Sequence, residues 1–78
     1  SLLARIEREG FDLILTCDKQ MPFQQNLVGR QLAIVVLPTT KLLELVELTG
    51  PLASVLGQAR PGSAYRFRSM PVALLQIS

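Results

Sequence analysis

The sequence predicts an α/β fold, a mostly parallel sheet flanked by helices. Three observations carry that expectation. Residues Phe11–Thr16 (Phe-Asp-Leu-Ile-Leu-Thr) are apolar almost without a break. So are residues 31–37, which end Leu-Ala-Ile-Val-Val-Leu. Continuous runs of this kind mark strands buried on both faces. Helical periodicity recurs on either side of them, and alternation of such strands with helices is the pattern of a layered α/β domain.

Taken in order, residues 1–9 present Leu2, Leu3 and Ile6 on one side and Arg5, Arg8 and Glu9 elsewhere. Arg5 and Glu9 are spaced i,i+4, and Gly10 suits the position just past a helix end. A first helix is therefore expected, with Ser1 as its cap. At about nine residues it would be too short to stand alone and must pack on something. The first strand follows at 11–16. Residues 17–30 read as a loop, or a loop with one short helical turn, broken by Pro22, rich in amides and turned by Gly29. Met21, Phe23 and Leu27 are expected to pin that loop to the core. The second strand, 31–37, stops at Pro38.

Thr39 or Thr40 can cap the next helix, whose stripe is Leu42, Leu45 and Val46. Gly50-Pro51 interrupts it. Leu52, Val55, Leu56 and Ala59 then mark a further helical face. Pro61-Gly62 is a turn. Residues 64–68 alternate, with Tyr65 and Phe67 on one face and Arg66 and Arg68 on the other, as in a half-exposed strand near a sheet edge. The tail, 69–78, is apolar, broken by Pro71, and of no clear type. Residues 1–68 are thus assigned to one domain and 69–78 to an apolar tail.

Composition bounds the function. The chain has 78 residues, 49% hydrophobic and 18% charged. A chain this short buries roughly 60–65% of its unfolded surface, enough for one modest core. The apolar share argues against disorder. There is no His and one Cys, so His-based zinc sites, Ser-His or Cys-His catalysis and an internal disulfide framework are excluded. Cys17 reads as a buried, inert thiol. The longest apolar run, 32–37, is far short of the ~20 residues a membrane helix needs. No basic segment precedes an apolar stretch as in a signal peptide, so a cytoplasmic setting is expected. Net charge is +2, from eight Lys and Arg against six Asp and Glu. That balance permits a nucleic-acid partner and is equally that of an ordinary surface.

If strands 11–16 and 31–37 are parallel neighbours, their C-terminal ends share one edge, where open α/β sheets bind ligands. Thr16-Cys17-Asp18-Lys19 and Pro38-Thr39-Thr40-Lys41 then meet there. A carboxylate at Asp18 suits Mg²⁺ or Mn²⁺; an Asp after a strand is also a common turn former. Thr39 and Thr40 are candidate phosphate ligands at a helix start, or simple caps. Lys19, Arg30 and Lys41 are candidate contacts to a polyanion. Gln24, Gln25 and Asn26 either bond a nucleotide or satisfy loop backbone.

Residues 11–27, Phe-Asp-Leu-Ile-Leu-Thr-Cys-Asp-Lys-Gln-Met-Pro-Phe-Gln-Gln-Asn-Leu, resemble the C-terminal half of a family of small bacterial PIN-like domain proteins. Those carry a strand ending in Thr-x-Asp and then an aromatic-Gln-Gln-Asn-Leu loop. Gly29-Arg30, the strand Ala33-Ile34-Val35-Val36-Leu37, the Leu-rich helices and Pro61-Gly62 resemble the family too. The resemblance implies a Rossmann-like sheet and a Mg²⁺- or Mn²⁺-dependent endoribonuclease, often the toxin of a toxin–antitoxin pair. It implies Asp18 as the catalytic and metal-binding acid, and RNA and an antitoxin protein as partners. The chain is then expected to be a partial PIN-like domain lacking the family's N-terminal strand and that strand's acid, and inactive as this piece. Without that strand, residues 11–16 would leave an open edge, so a self-associated or only loosely folded chain is expected, unless 72–77 cover it. The rival expectation is a non-catalytic protein-interaction module on a degenerate PIN-like fold.

Overall fold

The computed structural model describes residues 3–8, 10–20, 27, 29–39, 54–69 and 71–77. Five strands lie in one sheet: β1 (Leu3–Arg8), β2 (Phe11–Thr16), β3 (Leu32–Val36), β4 (Ala64–Ser69) and β5 (Val72–Gln76). Their spatial order is the sequence order. β1 is antiparallel to β2, β2 and β3 are parallel, β3 and β4 are parallel, and β5 is antiparallel to β4.

This corrects the expected fold class. Among the described residues the architecture is a small five-stranded mixed sheet with about 6% helix, not a Rossmann-like sheet flanked by helices. Residues 3–8 form a strand rather than a helix. Their burial alternates: Ala4 and Ile6 are half-buried, while Leu3, Arg5 and Glu7 are exposed. The same residues that fit a helical stripe also fit a period of two. Pairing with β2 satisfies the backbone of a segment too short to be helical alone. Gly10, expected after a helix, instead takes φ 84° in the connection from β1 to β2. A tight hairpin demands that left-handed conformation as much as a helix end does.

The edge of β2 expected to lie open is therefore occupied by β1. The tail covers a different strand, pairing along β4 from Tyr65↔Gln76 to Ser69↔Val72. That pairing puts β4 one strand in from the edge, and its alternation is as expected, with Tyr65 and Phe67 buried and Arg66 and Arg68 exposed. Ile77 N–H continues the ladder to the Ala64 carbonyl at 2.9 Å. Pro71 falls in the connection, where its missing N–H costs no ladder bond. The expected helix at 42–46 lies outside the described residues. Helix is seen at 54–56, and Leu56 and Ala59 are buried as their spacing requires.

The sheet is buried on both faces. Leu13, Leu15, Ala33, Val35, Leu37, Tyr65 and Phe67 pack with Leu56 and Ala59 on one. Ile14, Leu27, Ile34 and Ala64 pack on the other. Leu13, Leu15, Ile34 and Val35 are fully enclosed. Each such side chain is worth about 1.5–3 kcal/mol of burial. Of the three residues expected to pin the loop, Leu27 is buried, and Met21 and Phe23 lie outside the described residues. The Tyr65 hydroxyl accepts the Arg60 N–H at 3.0 Å, tying the segment before β4 to the core.

Candidate polyanion-binding edge

β2 and β3 are parallel neighbours in the register Thr16↔Val36, so Asp18 and Thr39 follow strands that end on one side of the sheet. The Leu37 N–H bonds the Thr16 carbonyl at 2.7 Å, carrying the ladder to that edge. β4 extends the register, with Arg66 level with Val36. One cross-strand row thus runs Thr16, Val36, Arg66.

The turn after β2 is built by side chains. Thr16 is buried, and its Oγ1 accepts the Asp18 N–H at 3.1 Å. Asp18 Oδ1 in turn accepts the Gln20 N–H at 2.9 Å. These bonds replace backbone ladder partners that end with the strand. They present Lys19, which is exposed, at the rim.

Lys19, Val36, Arg66 and Ile77 line a cleft of about 190 Å³. A second, of about 150 Å³, shares Lys19, Val36 and Arg66 and adds Leu37, Pro38 and Phe67. Two cations therefore face a groove with an apolar floor. Among the described residues neither Lys19 nor Arg66 is held in an ion pair or by a side-chain hydrogen bond. Arg68, two residues on, donates from Nε to the Pro71 carbonyl at 3.1 Å and braces the β4–β5 connection. Thr39 is exposed on the same edge.

The other proposed site residues divide. Arg30 lies two residues before β3 and so stands at the opposite end of that strand from Thr39; the fold does not bring it to the groove. Gln24, Gln25, Asn26, Thr40 and Lys41 lie outside the described residues. Cys17 is a free, half-buried thiol packed against the core. Arg66 was missed in the sequence. Its alternation with Tyr65 and Phe67 marks it as outward-facing, and only the parallel register with β3 shows which edge it serves.

A Mg²⁺ or Mn²⁺ ion needs several oxygen ligands. Among the described residues no three His, Cys, Asp or Glu side chains gather for one. Asp18 stands beside Lys19, with one oxygen engaged in the turn. Asp12 is the second residue of β2 and Glu7 pairs with it in register, both at the far end of the strand. Among the described residues the donor set at this edge does not fit a divalent metal.

At that far end Glu7, Gly10, Phe11, Asp12 and Gln31 line a wide, shallow depression. Arg5 pairs with Asp12 there at 3.2 Å. Among the described residues no helix is long and apolar enough to cross a membrane. Comparison with protein-family models, curated proteins and solved structures gives no match to this chain.

Proposed function

We propose that this chain binds the phosphate backbone of single-stranded RNA along the C-terminal edge of β2, β3 and β4. The observation that carries this is the pair Lys19 and Arg66, two cations on one groove, neither neutralised among the described residues. Phosphate contacts of this kind supply most non-specific affinity for nucleic acid. The apolar floor at Val36 and Ile77 gives a base or sugar somewhere to rest. RNA is favoured over other polyanions by the resemblance of residues 11–27 to an RNA-acting family. The amides Gln24, Gln25 and Asn26 follow Lys19 in sequence and are suited to base edges. A cytoplasmic location goes with this partner.

The metal-dependent ribonuclease implied by that resemblance, and the antitoxin that would restrain it, remain the second reading. It rests on Asp18 lying on the same edge as the cations. Because one carboxylate does not make a metal site, binding rather than cleavage is assigned to these residues.

The test is fluorescence anisotropy with a short labelled single-stranded RNA across a salt series. The double variant Lys19→Ala/Arg66→Ala is expected to bind about tenfold more weakly or worse, a loss of at least ~1.4 kcal/mol. Its log–log salt slope should be shallower by roughly 1.4, about 0.7 for each lost contact. Arg30→Glu, at the other end of β3, should bind as the parent does. Equal binding by the double variant overturns the proposal. Mn²⁺-dependent cleavage that disappears in a folded Asp18→Asn variant would replace it with the ribonuclease.

A further inference from the structure

β1 pairs with β2 on one side, and no other described strand pairs with it on the other. Half of its backbone N–H and C=O groups therefore point outward, the arrangement that invites another strand. Its side chains say which strand. Arg5 and Glu7 lie on the same face, two residues apart and both exposed. Glu7 sits directly opposite Asp12 in the register, a like-charge pair that disfavours this arrangement. The neighbouring cation, Arg5, meets Asp12 through Nη2 at 3.2 Å. Among the described residues Glu7 has no ion-pair partner.

We infer that two copies of this chain join through their β1 edges, antiparallel about a two-fold axis at Ile6. In that register Arg5 of each copy lies opposite Glu7 of the other, on both sides of the axis. The pairing relieves the contact between Glu7 and Asp12 and links four charges of alternating sign across the seam. Ile6 meets its own counterpart at the centre. Sliding the register by two residues sets Arg5 against Arg5, or Glu7 against Glu7, so the charge pattern selects one alignment. Arg5 and Glu7 are two apart and share a backbone orientation, as an antiparallel pair requires. The contact is closed by its two-fold and adds no further copies. β5, the opposite edge, has no charged residue and offers no such selection.

A single shared strand edge buries less than the ~1,200 Å² of a typical stable interface. The dimer is therefore weak, concentration-dependent and loosened by salt. Sedimentation velocity on the full chain over a concentration series tests it, with circular dichroism to follow the fold. The parent chain should pass from monomer to dimer as concentration rises. Glu7→Arg should remain monomeric and folded, because the new arginine faces Asp12 within its own chain and Arg5 across the seam. The double variant Arg5→Glu/Glu7→Arg restores opposite charges both across the seam and against Asp12, and should dimerise again. A parent that stays monomeric at the highest concentration overturns the inference. So does a Glu7→Arg variant that still dimerises, which would put the second copy on another edge such as β5, or a folded double variant that does not.

Discussion

The two ends of the central strands are charged differently. At the N-terminal end of β2, Arg5, Glu7 and Asp12 mix signs, and two of them form an ion pair. At the C-terminal end, Lys19 and Arg66 face a groove, while the nearby Asp18 bonds the backbone of its own turn. Charge of both signs at one end largely cancels and leaves structure as its product. Cations that no described residue compensates at the other end keep more of their field, beside an apolar wall that screens it less than water does. The comparison teaches that local charge count is a poor guide to a site. Both ends carry carboxylates; what separates them is which charges are already spent.

The sharpest way to break this contrast is to loosen the turn that presents Lys19. Thr16→Val keeps the buried shape and removes the Oγ1 that accepts the Asp18 N–H. An N–H left without its partner at a partly buried site costs about 1–3 kcal/mol. We expect a loss of that size in urea unfolding and a weaker RNA affinity in the folded variant. Unchanged binding would mean that Lys19 reaches phosphate without the turn holding it.

How much of this was readable beforehand differs along the chain. β2 and β3 declare themselves as unbroken apolar runs, and their parallel pairing with a shared edge follows from that. Residues 3–8 do not declare themselves. Leu2, Leu3 and Ile6 satisfy a helical stripe, Ala4 and Ile6 a strand face, and Gly10 ends either element. What decides between them is the edge of β2, which lies beyond any local window. The tail was obscured by Pro71, which interrupts the apolar pattern and in fact sits in a turn. That single displacement hides β5, the edge strand beside β4. Asp18 carried two readings from the start, ligand and turn former, and its bond to Gln20 shows the second at work. Arg66 was legible in parity alone, since its strand's neighbour and direction are set by tertiary pairing.

A substitution at the other end should damage structure and leave binding alone. Gly10 has φ 84°, and a Cβ built there meets nothing within 4 Å. The cost of Gly10→Ala is then the backbone penalty by itself, about 1–2 kcal/mol for an L-residue held left-handed. Denaturant unfolding should show that loss, while RNA affinity measured well below the midpoint stays at the parent value. A parallel drop in affinity would couple the two ends that the charge pattern separates.

The smallest effect is expected at Asp12, and its smallness is informative. Asp12→Asn removes the Arg5 ion pair, whose side chains are 62% and 35% exposed. Exposed pairs of this kind contribute about 0–1 kcal/mol. The same change removes the negative charge lying opposite Glu7 in the register, which works in the other direction. It also frees Arg5 to turn toward Glu7, its neighbour but one on the same face of β1. Loss and gain offset, so the net change in unfolding free energy should stay within about 0.5 kcal/mol, and added salt should shrink it further. RNA affinity should not move, since Asp12 lies at the far end of β2 from the groove. A loss well above 1 kcal/mol would show that the Arg5–Asp12 pair clamps β1 to the sheet. The mixed-charge end would then be a fastening of the edge strand, stronger than a surface where charges merely cancel.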